Sequence, residues 1–266
     1  MMPPPGGGRR LRFASLGSGS AGNATLIEYD GTCLMVDCGF SVKQTVARLQ
    51  RLARAGEDLT AIVVTHEHSD HLGGVGVVAR EFSLPVWMTP GTARAAQAGN
   101  IGHLPELRLF SSHERFTIGA IEVEPFPVPH DAEEPCQFVF SNGDRRIGVL
   151  TDTGASTSHI EASLDGCDAL LIECNHDLDM LRNGPYPVAL KERVGGPLGH
   201  LDNDSAARIL RRIDTSCLRY LVAGHLSKIN NTPELARDAL SAAIDCDPEW
   251  IRIADQEHGL AWYVLD

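Results

Sequence analysis

The chain has 266 residues, with 23 basic against 35 acidic side chains and a formal net charge of −12. Hydrophobic residues make up 43% and charged residues 22%, ordinary values for a globular protein, and at ~100–200 residues per domain the length allows one large domain or two small ones. The acidic balance argues against holding nucleic acid through a broad basic face, but it leaves room for a local basic patch or for a metal ion as the source of positive charge.

Residues 1–10 (MMPPPGGGRR) have no apolar stretch of the signal-peptide kind, and their Pro and Gly content predicts a disordered leader. No Ser- or Gly-rich linker follows, so 11–266 is expected to fold as a single domain. No apolar run approaches the ~18 residues of a membrane span, and no membrane partner is expected. Strand-like apolar runs fall at 11–16, 24–29, 33–36, 61–65, 85–88, 121–128, 137–140, 146–150, 169–173, 218–223 and 261–265. Several, such as AIVVT and ALLIE, are continuous rather than alternating, as in strands covered on both faces. Helical spacing marks 42–56, which stops at Gly56. It also marks 202–213, opened by cap-type Asp and Asn, and 232–244, with Thr at the cap and Pro at the first helical position. Strands in both halves with helices between them predict an α/β fold of two packed sheets with helices outside.

Seven cysteines, an odd number with no C-x-x-C, point to reduced thiols and a cytoplasmic location. Their apolar settings read as core filling rather than ligation.

The chemistry concentrates after the run AIVV, where THEHSDH carries His66, His68, Asp70 and His71. Four ligand-type side chains at 66–71 cannot all face one way on a helix or a strand, but a tight turn at a strand end lets them converge. Imidazole and carboxylate together suit Zn²⁺, Mn²⁺ or Fe²⁺. One loop supplies too few ligands for two metal sites. His130, Asp152 and His225 each end a later apolar run and are poised for the same sheet edge. His103, His113, His159 and His258 have no partner pattern.

H-x-H-x-D-H followed by His130, Asp152 and His225 resembles the metallo-β-lactamase fold superfamily, over nearly the whole chain from Leu11. SLGSGSAGNATLIE (15–28), VDCGF (36–40), HDAEEP (130–135), ECNHD (173–177), NGPYPVALKERVGGPLGHLDND (183–204) and GHLSKINNTPELA (224–236) narrow the resemblance to the WalJ (YycJ) family of 5′-to-3′ DNA exonucleases. The resemblance implies an αββα sandwich with a dinuclear centre at one edge. One divalent transition metal, Zn²⁺ or Mn²⁺, would take His66, His68 and His130; the second would take Asp70, His71 and His225; Asp152 would bridge them. A metal-activated hydroxide would be the nucleophile, with DNA, single-stranded or at a duplex end, as substrate.

A leaving alkoxide needs a proton, and His200, in GPLGHLDND, is the candidate general acid, with Asp70 beside it in the catalytic set. Glu173 is expected to orient His200 or a ligand, and Asp37 to brace the metal loop. Ser18, Ser20 and Asn23 in the Gly-rich GSGSAGN segment are candidate phosphate contacts, together with His176, Ser227 and Asn230. Lys228 and Asn231 lie in the same segment as the last two, and Lys191 and Arg193 would add local positive charge. Two other functions compete. Hydrolysis of a small cyclic phosphate or cyclic nucleotide shares the metal chemistry and suits the −12 charge. A regulatory protein with a structural metal would need neither His200 nor a substrate cleft. Nothing in the sequence fixes the oligomeric state.

Overall fold

The continuous apolar runs face two layers each. The computed structural model describes residues 10–266. Of the expected leader, residues 1–9 lie outside the described residues, and Arg10 pairs with Asp266 at 2.6 Å. Among the described residues there are two seven-stranded sheets.

The first sheet contains β1 (Arg12–Gly17), β2 (Ala24–Tyr29), β3 (Thr32–Val36), β4 (Ala61–Val63), β5 (Pro85–Met88), β6 (Glu106–Leu109) and β14 (Leu260–Val264), in the order β14-β1-β2-β3-β4-β5-β6. The second contains β7 (Phe116–Ile118), β8 (Ile121–Pro127), β9 (Cys136–Ser141), β10 (Arg146–Leu150), β11 (Ala169–Glu173), β12 (Tyr220–Gly224) and β13 (Arg252–Ile253), in the order β13-β12-β11-β10-β9-β8-β7. Each sheet is antiparallel on one side and parallel on the other. β3, β4, β5 and β6 run parallel in the first, and β10, β11, β12 and β13 in the second.

Alternate residues of single strands separate into different cores. Leu34, Val36 and Val63 meet Phe138, Val149, Leu171 and Val222 between the sheets. Met35, Ile62 and Val86 turn the other way, against α1 (Val42–Arg51), α3 (Val75–Phe82) and α4 (Pro90–Ala98). Leu170, Ile172, Leu221 and Ala223 pack under α5 (Ser158–Leu164), α8 (Asn203–Leu210) and α9 (Pro233–Ile244). Each strand residue therefore has a buried face to fill, which is why the runs do not alternate. The four layers form the αββα sandwich.

Several boundaries differ from the sequence reading. The helix expected to reach Gly56 ends at Arg51, and a 3₁₀ turn occupies Gly56–Asp58. Its start is secured by a capping box between Ser41 and Gln44. β6, whose residues are all exposed, and the short β7 and β13 carry no strand-length apolar run. Neither did α2 (Ser69–Leu72), α6 (Leu178–Asn183) or α7 (Val188–Val194) show helical periodicity, being four, six and seven residues long. Five cysteines are buried as expected; Cys217 is exposed and Cys246 intermediate. No helix among the described residues is long and apolar enough to cross a membrane.

Candidate metal centre

The ends of β4, β8, β10 and β12 deliver the expected ligands to one edge of the sandwich, with His130 following β8. β4 stops at Val63, and the chain turns through Thr65 and His66 into the one-turn α2, which carries Asp70 and His71. Asp152 follows β10 and His225 follows β12, with left-handed φ of 42° and 55°. Asp37, just after β3, has φ 60°. Non-glycine residues avoid this conformation, and its recurrence at three strand ends marks local strain held by the surrounding fold.

Ligand atoms of His66, His68 and His130 lie within 4.8 Å of one another, as do those of Asp70, His71, Asp152 and His225. Asp152 stands between the groups. Its Oδ2 is 3.4 Å from His66 Nε2 and in contact with His71 Nε2, and its Oδ1 is 3.3 Å from His225 Nε2. Asp70 Oδ2 is 3.3 Å from His225 Nε2 and 3.5 Å from His71 Nε2. His130 Nε2 lies 3.2 Å from His68 Nδ1.

The outer ring nitrogens are tied back. His71 Nδ1 donates to Asp37 Oδ2 at 2.7 Å, and Asp37 also accepts from Thr65 N and Thr65 Oγ1, each at 2.8 Å. His130 Nδ1 donates to the Gly199 carbonyl at 3.0 Å. A ring that donates from Nδ1 keeps its lone pair on Nε2, the nitrogen that faces the centre. Asp37 thus meets the outer ring nitrogen of His71.

The charge pattern suits cations. Burial, reinforced by neighbouring histidines, holds His66 well below its usual pKa and therefore neutral. Burial also lowers His130. Burial works against the charge on Asp152 and Asp70, but the surrounding imidazoles outweigh it and both carboxyls titrate below their usual range. His71 and His225 are raised, burial being outweighed chiefly by Asp152. His66 Nε2 and Asp152 Oδ1 are buried without a hydrogen-bond partner. Orphaned buried lone pairs on an imidazole and a carboxylate of one donor cluster fit a divalent cation and would otherwise be costly.

A cleft of about 370 Å³ opens over these residues. His200 lines it, with Nδ1 2.7 Å from Glu173 Oε1 and 3.2 Å from Asp152 Oδ1. Burial disfavours its charge, yet the two carboxylates push its pKa up to about 11. Glu173, fully buried, also accepts from the backbone N–H groups of Thr153 and Leu201. Sequence reasoning missed Asp131, Tyr186 and Leu190, which line the same cleft. Asp131 pairs with Arg193 at 2.7 Å, so that guanidinium is already neutralised. Lys191 Nζ donates to the Arg182 carbonyl.

The expected phosphate contacts separate. Ser20 lines the cleft. Ser18 Oγ accepts from the His225 backbone N–H at 2.8 Å. Asn23 is buried, receiving Gly19 N–H at 2.8 Å and placing Nδ2 3.1 Å from His71 Nε2. Ser227 Oγ accepts from Asn230 N within its own turn. His176 and Asn230 are buried at 1% and 0% exposure and do not line the cleft.

Two seven-stranded sheets with a His/Asp centre at one edge define a metallo-hydrolase of the β-lactamase type. Residues 32–225 match the beta-lactamase superfamily domain. The chain is 39% identical over 237 residues to exodeoxyribonuclease YycJ of Bacillus anthracis, covering 88% of this chain and 89% of that one. It is 37% identical over 229 residues to exodeoxyribonuclease WalJ of Streptococcus pneumoniae serotype 2, covering 85% of each. The metallo-beta-lactamase fold protein YhfI of Bacillus subtilis superposes with a TM-score of 0.74 at 17% identity, over 96% of this chain and 100% of that one. The chain belongs to the beta-lactamase superfamily and, within it, to the family of YycJ and WalJ.

Proposed function

We propose that this protein is a metal-dependent phosphodiesterase that degrades DNA from an end. The observation that carries the reading is a complete His/Asp donor set in a chain 39% identical, over 88% of its length, to a protein named as an exodeoxyribonuclease. His66, His68 and His130 would hold one divalent ion, Asp70, His71 and His225 a second, with Asp152 shared between them. Zn²⁺ and Mn²⁺ both suit this mixture of imidazole and carboxylate. Such ions supply Lewis acidity, acidifying a water and drawing charge off a phosphodiester.

The remaining work falls to the chain's own side chains. Asp37 and the Gly199 carbonyl fix the tautomers of His71 and His130. His200 commits Nδ1 to Glu173, leaving Nε2 to protonate the leaving oxygen. Ser20, at the cleft wall, is placed to meet a phosphate oxygen. Seven cysteines, all free, support a reducing, cytoplasmic setting.

The test is a metal-reconstituted assay on 5′-phosphorylated linear single-stranded DNA, duplex DNA, closed circular single-stranded DNA and cyclic nucleotides. Linear DNA is expected to yield mononucleotides while the circle survives. Labels at either end read the polarity, for which the resemblance implies 5′ to 3′. Preferential turnover of cyclic nucleotides, or efficient opening of the circle, would overturn the reading.

A further inference from the structure

A second cavity, of about 630 Å³, adjoins the metal cleft, and Ser20 lines both. Its size falls in the ~300–1,000 Å³ range of small-ligand sites. Neither the metal ligands nor His200 line it. Two features give it a chemical character. The Arg48 guanidinium lies over the buried Phe40 ring, 4.1 Å from its centroid. Arg48 Nη1 donates to the carbonyls of Leu16 at 2.6 Å, Gln256 at 3.1 Å and Glu257 at 3.0 Å. Its hydrogen-bond partners are neutral backbone carbonyls, and they hold the planar group in place. Phe40 covers one face of the guanidinium, and Arg48 lines the cavity wall. The second feature is Lys228, exposed on the cavity wall and in no ion pair among the described residues.

A planar cation backed by an aromatic ring is a stacking platform for a nucleobase, and a lone ammonium beside it suits a backbone phosphate. A free phosphate would not use the apolar wall supplied by Leu226 and Ile253, whereas a nucleobase would. We propose that this cavity is a subsite for the DNA strand next to the scissile phosphate, with a nucleobase against Arg48 and the adjoining backbone phosphate at Lys228. The subsite rests on the nuclease reading above and adds to it. It explains how a chain with a net charge of −12 holds a polyanion, through two local cations rather than a basic face.

The test uses the metal-loaded full chain and a 3′-fluorescein-labelled phosphorothioate oligonucleotide of about twelve nucleotides, which keeps the backbone charge and resists cleavage. Anisotropy is read against salt. Lys228→Ala should weaken binding and lower the magnitude of the salt slope by ~0.7, one single-strand phosphate contact. An abasic scan should find one nucleotide whose missing base weakens wild-type binding about tenfold. That penalty should vanish in Arg48→Lys, which keeps the charge and loses the plane. Wild-type affinity and salt slope in Lys228→Ala would overturn the subsite, and so would an abasic penalty that persists in Arg48→Lys. Should Arg48→Lys fail to fold, Lys228→Ala still decides, because its side chain is exposed. A protein that binds the strand through these residues but releases no nucleotides from cleavable DNA would sink the nuclease reading and leave the subsite standing. Unaltered binding by Lys228→Ala alongside normal DNA degradation would do the reverse.

Discussion

Asp37→Asn tests whether the brace behind the centre sets the ligand form of His71. Asp37 is 2% exposed and accepts three hydrogen bonds, from Thr65 N, Thr65 Oγ1 and His71 Nδ1. Asparagine keeps the shape and tolerates the φ of 60°. It has only one oxygen. If that oxygen faces His71, the amide NH₂ meets the Thr65 N–H donor, and a buried backbone group loses its partner. If the oxygen faces Thr65, the NH₂ meets His71 Nδ1, which must then accept. In the neutral, metal-binding form of the ring the proton then sits on Nε2, the nitrogen that faces Asp152, and no lone pair is left there. Either arrangement costs about 1–3 kcal/mol as an unsatisfied or mismatched buried group, with the loss of a charge-assisted bond included. Metal affinity should fall ~10–100-fold, the usual penalty for removing such a partner. Denaturant unfolding of the metal-free protein measures the first quantity and calorimetric metal titration the second. Stability within about 0.5 kcal/mol of wild type, together with unchanged metal affinity, would refute the reasoning.

The other predictions concern the same site and one ion-pair cluster remote from it. Elemental analysis of protein purified without chelator and reconstituted with Mn²⁺ or Zn²⁺ should approach two ions per chain, since seven ligand-type residues exceed what one tetrahedral site needs; saturation at one would refute the dinuclear assignment. His225→Ala should lose metal occupancy and activity together. His200→Ala should retain both ions and lose ~10²–10⁴ in rate, with a smaller deficit for a p-nitrophenyl leaving group; metal loss in His200→Ala with normal occupancy in His225→Ala would reverse the two roles. Glu28 is buried between Arg54, which it meets at 2.8 Å, and Arg12. Burial opposes its charge, but the guanidiniums outweigh burial and lower its pKa in the folded state. A depressed folded pKa gives stability that is fully present above the unfolded value of ~4.3 and is lost as pH falls through the folded one. The wild-type advantage over Glu28→Gln in chemical denaturation should therefore be flat near neutrality and shrink below about pH 4.5; an advantage independent of pH would count against the pairing.

What the sequence made legible depends on how local the cause is. His66, His68, Asp70 and His71 crowd one turn, and His130, Asp152 and His225 each end an apolar run, so chain position alone exposes them. The two-sided strands were equally plain, because each of their residues has a core to fill. β6 was not, since its residues are all exposed and its place at the sheet edge is fixed by pairing with β5. The phosphate candidates show the limit most clearly. Ser20 and Asn23 belong to one Gly-rich segment and look alike in sequence, but that segment folds back so that Asn23 N–H donates to the Asp70 carbonyl at 2.8 Å, burying Asn23 against the metal loop and leaving Ser20 at the cleft. His176 and His200 both precede short helices, yet only His200 reaches the cleft; His176 is buried with Nε2 unpartnered. Arg48 carried no signal at all, being one of two arginines on an amphipathic helix. Its place over Phe40 is set by carbonyls of Leu16, Gln256 and Glu257, two of them more than 200 positions away in the chain. Candidate ligands announce themselves through residue type, whereas the residues that hold them in place, and those that would receive the substrate, are selected by contacts that only the folded chain creates.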